Sequence, residues 1–244
     1  MAVFFQSFAR HFSMYNLTAA LGLCAALVFA LRRLSANGFD GAALRRVKAA
    51  ALAAFLAGAA ASNIFNWIVF PELTALPLLA RIRAAGMTFY PGMICAIALF
   101  ALLLRLLAQP VRRVFFLTVP AFPLFHGIAR IGCLFAGCCY GRELTAGAFS
   151  FRFPYPALES VFLFALVFLL IRRRPARPLL VYCTAYPIFR FFAEFLRGDD
   201  RGVLIPGISL SVSQQISLAI LAGVLVYTAI SYIQAHLHCH RKGR

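Results

Sequence analysis

Four side chains near the end of one apolar segment are of the kinds that bind or move charged groups. Tyr186, Arg190, Glu194 and Arg197 are spaced four, four and three residues apart, which places them on one face of a helix. A guanidinium group binds phosphate oxygens through two parallel hydrogen bonds. The spacing therefore allows two arrangements. One is a structural ion pair between Arg190 and Glu194, and the other is a stripe facing a cavity in which Arg190 binds an anion.

A second candidate arginine, Arg130, lies towards the end of another apolar run. An ionisable side chain at membrane depth is costly, so its presence there indicates a functional site. Two arginines with few acidic partners suit an anionic headgroup, because their forked donors match phosphate oxygens. Arg130 and Arg190 are therefore the predicted anion-binding pair.

Three cysteines follow Arg130 around a turn of small residues: Cys133, Cys138 and Cys139. Three interpretations stay open. They form a disulfide between Cys133 and one of the other two, they are small packing residues, or they supply a nucleophile or redox pair. Adjacent cysteines pair only in a strained ring, so a bond between Cys138 and Cys139 is disfavoured. A zinc site lacks a convincing second pair of ligands, although His126 is close in sequence.

The elements that must position these residues are membrane helices. The chain has 244 residues, of which 63% are hydrophobic and 13% charged, whereas about a quarter of a soluble domain is charged. Seven apolar runs can each span a bilayer, at roughly 15–31, 49–70, 86–107, 114–136, 157–171, 178–197 and 209–233, and the fifth is expected to begin nearer Phe153. Runs this long satisfy their backbone hydrogen bonds as helices. The sequence thus predicts an all-α polytopic membrane protein with seven transmembrane helices in a single membrane domain, 1–244.

Arginine and lysine alternate between the two sides of this predicted bundle. They are frequent in the loops after the first, third and fifth runs and in the C-terminal tail, and sparse or balanced by acidic residues elsewhere. The positive-inside rule then places the N-terminus outside and the C-terminus in the cytoplasm. The net charge of +17 is explained by cytoplasmic loop ends facing anionic lipid, and a nucleic-acid partner is not expected.

This topology brings most polar residues of the apolar runs to one depth, towards the outer face. Arg105 is the main exception. Glu159 would neutralise an arginine there, or would orient or accept a proton. Tyr15 and Tyr90 are either site residues or aromatic belt residues at the interface. Tyr90 is followed by proline and glycine, which favours a break in the third helix at this point.

These motifs resemble the bacterial prolipoprotein diacylglyceryl transferases, a family of seven-helix inner-membrane proteins. Arg130-Ile131-Gly132 and Gly141-Arg142 match the family signature, with Tyr140 in place of a tryptophan. The motif from Tyr186 to Arg197 matches the family's sixth helix closely. Weaker matches are Tyr15, Phe153-Pro154 with Glu159, and Ser211-x-x-Gln214-x-x-Ser217.

Several positions depart from that family pattern. Tyr90-Pro91-Gly92 stands where the family carries His-Gly-Gly, so a tyrosine replaces its histidine. The asparagine of the signature is Cys133, and a later asparagine and glutamate are Ala136 and Cys138. The large insert that precedes the family's fifth helix is reduced to a short loop.

The resemblance implies that a diacylglyceryl group passes from phosphatidylglycerol to the thiol of a lipobox cysteine in a prolipoprotein, at the outer face of the bacterial cytoplasmic membrane. It implies that Arg130 and Arg190 bind the lipid phosphate, with Glu194 a further catalytic candidate. Tyr90, the remaining catalytic candidate, is a poorer general base than histidine, so either it only positions lipid or the reaction has changed. The candidate substrate-binding residues are Tyr15, Gly132, Gly141, Arg142, Glu159, Tyr186 and Arg197. No metal or organic cofactor is expected.

Two other functions stay open. The first is a divergent membrane transferase or thiol-redox protein that uses Cys133, Cys138 and Cys139 on another substrate. The second is a non-catalytic subunit that binds lipid. The retained charged residues argue against the second; they are Arg130, Arg190, Glu159 and Glu194.

Overall fold

The protein is described here by a computed structural model that covers residues 2–78, 80–81, 88–146, 149–199, 205 and 209–242, with side chains between positions 14 and 234. The α-helices in these ranges are α1 Ala2–Ser35, α2 Gly41–Val69, α3 Phe89–Leu106, α4 Val111–Thr118, α5 Ala121–Ala136, α6 Tyr155–Arg173, α7 Pro178–Ala193 and α8 Val212–Lys242. Two antiparallel strands, β1 Glu143–Ala146 and β2 Phe149–Arg152, form a hairpin between α5 and α6.

Within the described residues, seven helical segments are long and apolar enough to cross a membrane. They are Met14–Ser35, Gly41–Val69, Phe89–Leu106, Val111–Ala136, Tyr155–Arg173, Pro178–Leu196 and Val212–Gln234. This confirms the prediction of seven helices long and apolar enough to span a bilayer, and the fourth segment consists of α4 and α5 in succession. The hairpin was not predicted. Its strands are only four residues long, and the segment between α5 and α6 was interpreted as a short loop.

The ends of the helices differ from the apolar runs for local reasons. α2 begins at Gly41, eight residues before the predicted run, because the Asp40 side chain accepts a hydrogen bond from the Ala43 N–H at 2.7 Å and caps the helix. The run marks only the apolar part of a longer helix. The third run was predicted from position 86, and residues 82–87 lie outside the described part of the chain.

Tyr90, Pro91 and Gly92 lie in the first turn of α3, so the predicted break in this helix is wrong. A proline is tolerated in the first turn because its missing N–H has no intrahelical partner there. Gly92 packs against α2, where an added Cβ would lie 2.9 Å from the carbonyl oxygen of Gly58. The glycine therefore allows α2 and α3 to approach closely.

α5 ends in a turn that positions the cysteines. Gly137 adopts a left-handed conformation with φ of +64°. Its N–H bonds to the Leu134 carbonyl at 3.3 Å, and the Cys138 N–H bonds to the Cys133 carbonyl at 3.2 Å. These two bonds form a Schellman motif, which reverses the chain at the end of a helix. This turn places Cys138 next to Cys133.

Close helix packing brings the polar ends of the helices together. α1 packs against α5, α5 against α6, and α7 against α8. Gly132 lies at the crossing of α1 and α5, where an added Cβ would lie 1.8 Å from Thr18 Oγ1 and 3.2 Å from the Cα of Tyr15. Only glycine lets the helices approach this closely, so Gly132 fixes the position of α1 beside Arg130.

Candidate functional site

A buried ion pair between α5 and α6 lies at the centre of the site. Arg130 Nε is 2.9 Å from Glu159 Oε2, and the Tyr186 hydroxyl donates to Glu159 Oε1 at 2.7 Å. Glu159 is 0% exposed and Arg130 is 9% exposed. Charges this buried need partners of this kind. Glu159 therefore neutralises an arginine, which was one of the two roles considered for it.

His126 completes this group and was not among the predicted site residues. Arg130 Nε donates to His126 Nε2 at 3.2 Å, and the imidazole stacks on Phe89 with 3.6 Å between ring centroids. Because Nε2 accepts, the ring hydrogen is assigned to Nδ1. That atom is buried and has no hydrogen-bond partner among the described residues. The available signal was its spacing, one helical turn before Arg130.

Arg190 lies in a second group of buried polar side chains. Its Nη1 donates to the Tyr155 hydroxyl at 2.6 Å and to the carboxylate of Glu194, and its Nη2 donates to Ser213 Oγ at 2.9 Å. The ion pair considered for the stripe on α7 is thus present.

Tyr155 and Ser213 were not predicted as site residues. Tyr155 lies one turn before Glu159 on α6, so two residues of one helix face contact the two arginines. The positive charges of Arg130 and Arg190 both stabilise the ionised Glu159 carboxylate.

Arg197 lies beyond the helical stripe on which it was predicted. α7 ends at Ala193, and Arg197 has an extended backbone with φ of −81° and ψ of 149° after a short 3-10 turn. Its Nε and Nη2 donate to the Asp199 carboxylate at 2.9 and 2.5 Å, and its guanidinium lies 4.6 Å from the Tyr155 ring centroid. Its Nη1 is buried without a hydrogen-bond partner among the described residues.

Gly141 and Arg142 contribute backbone contacts to this region. Gly141 forms an isolated β-bridge with Arg197, and the Arg142 N–H donates to the Leu196 carbonyl at 2.8 Å. A Cβ on Gly141 would lie 2.6 Å from the Phe153 carbonyl oxygen, so the close approach requires glycine. The side chain of Arg142, a predicted substrate-binding residue, is exposed.

Tyr90 joins α3 to α8. Its buried hydroxyl lies 2.7 Å from Ser217 Oγ, which itself donates to the Ser213 carbonyl at 2.7 Å. Tyr90 is therefore the donor in this pair. The start of α8 is stabilised by a capping box, in which the Ser211 N–H bonds to Gln214 Oε1 and the Gln214 N–H bonds to Ser211 Oγ.

The three cysteine sulfurs converge beside Arg130. The Sγ atoms of Cys133, Cys138 and Cys139 all lie within 4.8 Å of one another, and Arg130 Nη1 is 3.8 Å from Cys133 Sγ and 3.7 Å from Cys139 Sγ. A hydrogen bond with Cys133 lowers the pKa of Cys138, but a hydrogen bond with Cys139 and partial burial outweigh it and raise that pKa to about 11. Without a further partner, Cys138 is thus a protonated thiol at neutral pH.

A cavity of ≈ 260 Å³ opens beside these groups, between α1, α2, α3 and α5. Its polar end is lined by Tyr15, His126, Arg130 and Cys133, and the rest of the lining towards Lys48 on α2 is mostly apolar. The other polar lining residues are Asn16, Ser62, Thr88 and Thr118. An apolar channel that ends at a guanidinium group fits a molecule with a hydrocarbon chain and an anionic head.

Comparison with known proteins places the chain in a family. A family model described as prolipoprotein diacylglyceryl transferase matches residues 2–230. The phosphatidylglycerol–prolipoprotein diacylglyceryl transferase of Clostridium tetani is 28% identical over 244 aligned positions, covering 92% of this chain and 96% of that protein.

Two further relatives match over shorter stretches. The chain is 41% identical to phosphatidylglycerol–prolipoprotein diacylglyceryl transferase 2 of Clostridium perfringens over 130 residues, which span 46% of this chain and about half, 49%, of that relative. The phosphatidylglycerol–prolipoprotein diacylglyceryl transferase of Aeromonas salmonicida is 31% identical over 173 residues, 62% of this chain and 60% of its own length. Because the family model spans nearly the whole chain, this protein belongs to the prolipoprotein diacylglyceryl transferase family.

Proposed function

We propose that this protein transfers a diacylglyceryl group from phosphatidylglycerol to the thiol of a lipobox cysteine. One observation carries the proposal: the Arg130 guanidinium lies at the polar end of an apolar cavity. In the reaction, the thiol sulfur forms a bond to the glyceryl carbon. The bond from that carbon to the phosphate oxygen breaks, and glycerol phosphate leaves with the electron pair.

Arg130 has donors available for that phosphate. Glu159 and His126 both contact its Nε, whereas Nη1 meets thiol sulfurs, which are weak acceptors. The edge formed by the two Nη atoms can therefore take phosphate oxygens in a bidentate contact. Glu159 and His126 hold the guanidinium in the orientation that this contact needs.

The leaving phosphate gains negative charge as the carbon–oxygen bond breaks, and fixed cations nearby stabilise that charge. Arg190 is not among the residues that line the cavity, but its charge acts on the same Glu159 carboxylate as that of Arg130. It would supply one cation if a phosphate oxygen took the place of the Glu194 carboxylate on its Nη1. Arg197 supplies another, because its buried Nη1 has no partner among the described residues and needs an acceptor. Glu194 lies close to both Arg190 and Arg197 and would move between them as lipid binds.

Tyr90 has a positioning role in this proposal. Its hydroxyl donates to Ser217, and it ties α3 to α8 near Arg190. Tyr15 lines the cavity beside Arg130 and would contact the lipid head. Tyr186 would act through Glu159, to which it is hydrogen-bonded.

The alternation of basic loops supports a bacterial cytoplasmic membrane location with the N-terminus and the site at the outer face. An exported prolipoprotein would present its lipobox cysteine on that side. The chain would act as one membrane domain, because polar contacts join α5 to α6, α6 to α7, α7 to α8 and α3 to α8, and α1 packs against α5.

The proposal is tested with purified protein in vesicles that contain phosphatidylglycerol, together with a peptide carrying a lipobox cysteine. We expect the peptide to gain the mass of one diacylglyceryl group. Arg130→Ala and Arg190→Ala should each slow this by about 10²–10³-fold, the usual effect of removing a donor that stabilises developing charge. Arg130→Lys keeps the positive charge but loses the paired donors of the guanidinium group, so it distinguishes the contribution of the charge from that of the bidentate contact. Arg105→Ala, at an exposed arginine of α3, is the matched control. Transfer at full rate in Arg130→Ala would contradict the proposal.

A further inference from the structure

The proposed transfer leaves two features without a role. The first is the convergence of Cys133, Cys138 and Cys139, whose sulfurs lie within 4.8 Å of one another. The second is the proton that the acceptor thiol must lose, for which the proposed transfer names no acceptor. Tyr90 already donates its hydroxyl hydrogen to Ser217, and His126 Nε2 already accepts from Arg130.

We propose that Cys133, Cys138 and Cys139 bind one Zn²⁺ ion through three thiolates, with the fourth coordination position open to the acceptor thiol. The proposal that the three cysteines bind a metal depends only on the geometry of the cluster. The acceptor's place at the fourth position rests on the proposed function.

The distances fit zinc. A Zn–S bond of about 2.3 Å places tetrahedral sulfur ligands about 3.8 Å apart, and the three sulfurs are already within 4.8 Å of one another. Cys133 is buried on α5, whereas Cys138 is exposed and Cys139 half-buried, so the last two can close around an ion by rotating their side chains. The left-handed residues Gly137 and Cys139, with φ of +64° and +58°, give the chain the turn that brings both thiols back to Cys133.

The number of ligands also fits a site that exchanges one ligand. Among the described residues, this cluster contains three metal-binding side chains and no fourth. Structural zinc sites have four protein ligands, whereas catalytic sites have three and an open position. His126 is not the fourth ligand in this arrangement, because its Nε2 accepts from Arg130.

The surrounding charge supports the thiolate forms. One Zn²⁺ with three thiolates carries a net charge of −1, and Arg130 Nη1 lies 3.8 and 3.7 Å from two of the sulfurs. Such contacts outside the ligand shell orient and stabilise metal ligands. The same guanidinium would hold the lipid phosphate, so the acceptor sulfur and the reacting carbon would be brought to one place.

A thiol bound at the open position would lose its proton, since a coordinated thiol is deprotonated. The proton leaves to water at the outer face, the sulfur attacks the glyceryl carbon, and glycerol phosphate departs with the additional negative charge. No electron is gained or lost, because zinc has no redox chemistry. A separate general base is then unnecessary, and Tyr90, whose hydroxyl donates to Ser217, need not act as one.

The test measures bound metal in protein purified under reducing conditions without chelators. We expect about one zinc ion per chain by elemental analysis, as a single three-thiolate site requires. Cys138→Ser and Cys139→Ser should lose the ion, as should Cys133→Ser, and the first two change side chains that are not buried, so they should fold. Cys24→Ser, at an exposed cysteine of α1, is the matched control and should keep it. Cobalt added to the stripped protein should give the charge-transfer absorption of thiolate ligands, which the three variants should lack.

Three results would overturn this inference. One is an absence of bound zinc even after titration with Zn²⁺. Another is equal zinc content in Cys138→Ser, Cys139→Ser and the wild type. The third is a stoichiometric disulfide within the cluster in protein that was alkylated at purification, which would support a redox pair instead. Metal content is measured without substrate, so it is independent of whether transfer occurs. Unchanged lipidation by the zinc-free protein would contradict the role at the acceptor and leave the phosphate contacts intact.

Discussion

Replacing Glu159 with glutamine tests the buried ion pair on which the proposed site depends. Glutamine keeps the volume and still accepts the hydrogen bond from Tyr186, but it leaves Arg130 without a neutralising partner. Because Glu159 is 0% exposed and lies 2.9 Å from Arg130 Nε, solvent does not compensate for the loss. Removing one partner of a buried pair costs about 3–5 kcal/mol. For a chain of this size, that lowers the unfolding temperature by about 6–20 °C.

The assay is thermal unfolding of the purified protein in one detergent, with wild type and variants measured side by side. Glu143→Gln is the matched control, because Glu143 is exposed on the hairpin and bonds to Ser150, and its change should stay within about 0.5 kcal/mol. The double variant Arg130→Met with Glu159→Gln should be more stable than Glu159→Gln alone, since no charge is then left unpaired. Equal unfolding temperatures for Glu159→Gln and the wild type would refute the reasoning, and so would a double variant whose losses simply add.

Three further predictions address packing, hydrogen bonding and pH. Gly132→Ala should lower the free energy of unfolding by about 1–3 kcal/mol, because the new Cβ meets α1 at the crossing. Gly223→Ala, whose Cβ meets nothing within 4 Å, should be neutral or slightly stabilising in the same unfolding assay. Tyr90→Phe should cost about 1 kcal/mol through its lost bond to Ser217 and should keep most of the transferase rate, whereas a rate reduced to that of Arg130→Ala would assign Tyr90 a catalytic role. In metal-free protein, alkylation of Cys138 should accelerate about tenfold per pH unit up to its pKa of about 11, because only the thiolate reacts; a plateau near pH 8.5, the ordinary thiol pKa, would contradict that shift.

The membrane architecture could be predicted because it depends on run length and apolar content, which are properties of the sequence itself. The ends of the helices could not, since a cap such as Asp40 extends a helix beyond its apolar part. The hairpin between α5 and α6 depends on pairing within a short loop, which hydropathy does not detect.

The candidate site was predicted in part for similar reasons. Arg130, Glu159 and Arg190 are conspicuous because charged residues are rare in apolar runs. His126, Tyr155 and Ser213 are ordinary residue types, and only the tertiary packing shows that they contact those charges. Arg197 was assigned to a helical stripe, but α7 ends before it.

The close approach of the three cysteine sulfurs could not be predicted from the sequence spacing alone. Cys133 and Cys138 are separated by a turn whose direction depends on the left-handed conformation of Gly137. A glycine after a helix suggests such a turn, but the sequence does not give the distance between the sulfurs.

Complementation of a bacterium depleted of its own diacylglyceryl transferase tests the central claim most directly. Expression of this chain should restore growth, and mass spectrometry should show a diacylglyceryl group on the lipobox cysteine of a reporter prolipoprotein. Arg130→Ala, expressed to the same level in the membrane, should restore neither. Absence of the modified cysteine in cells that express the folded wild-type protein would contradict the account, as would full modification by Arg130→Ala.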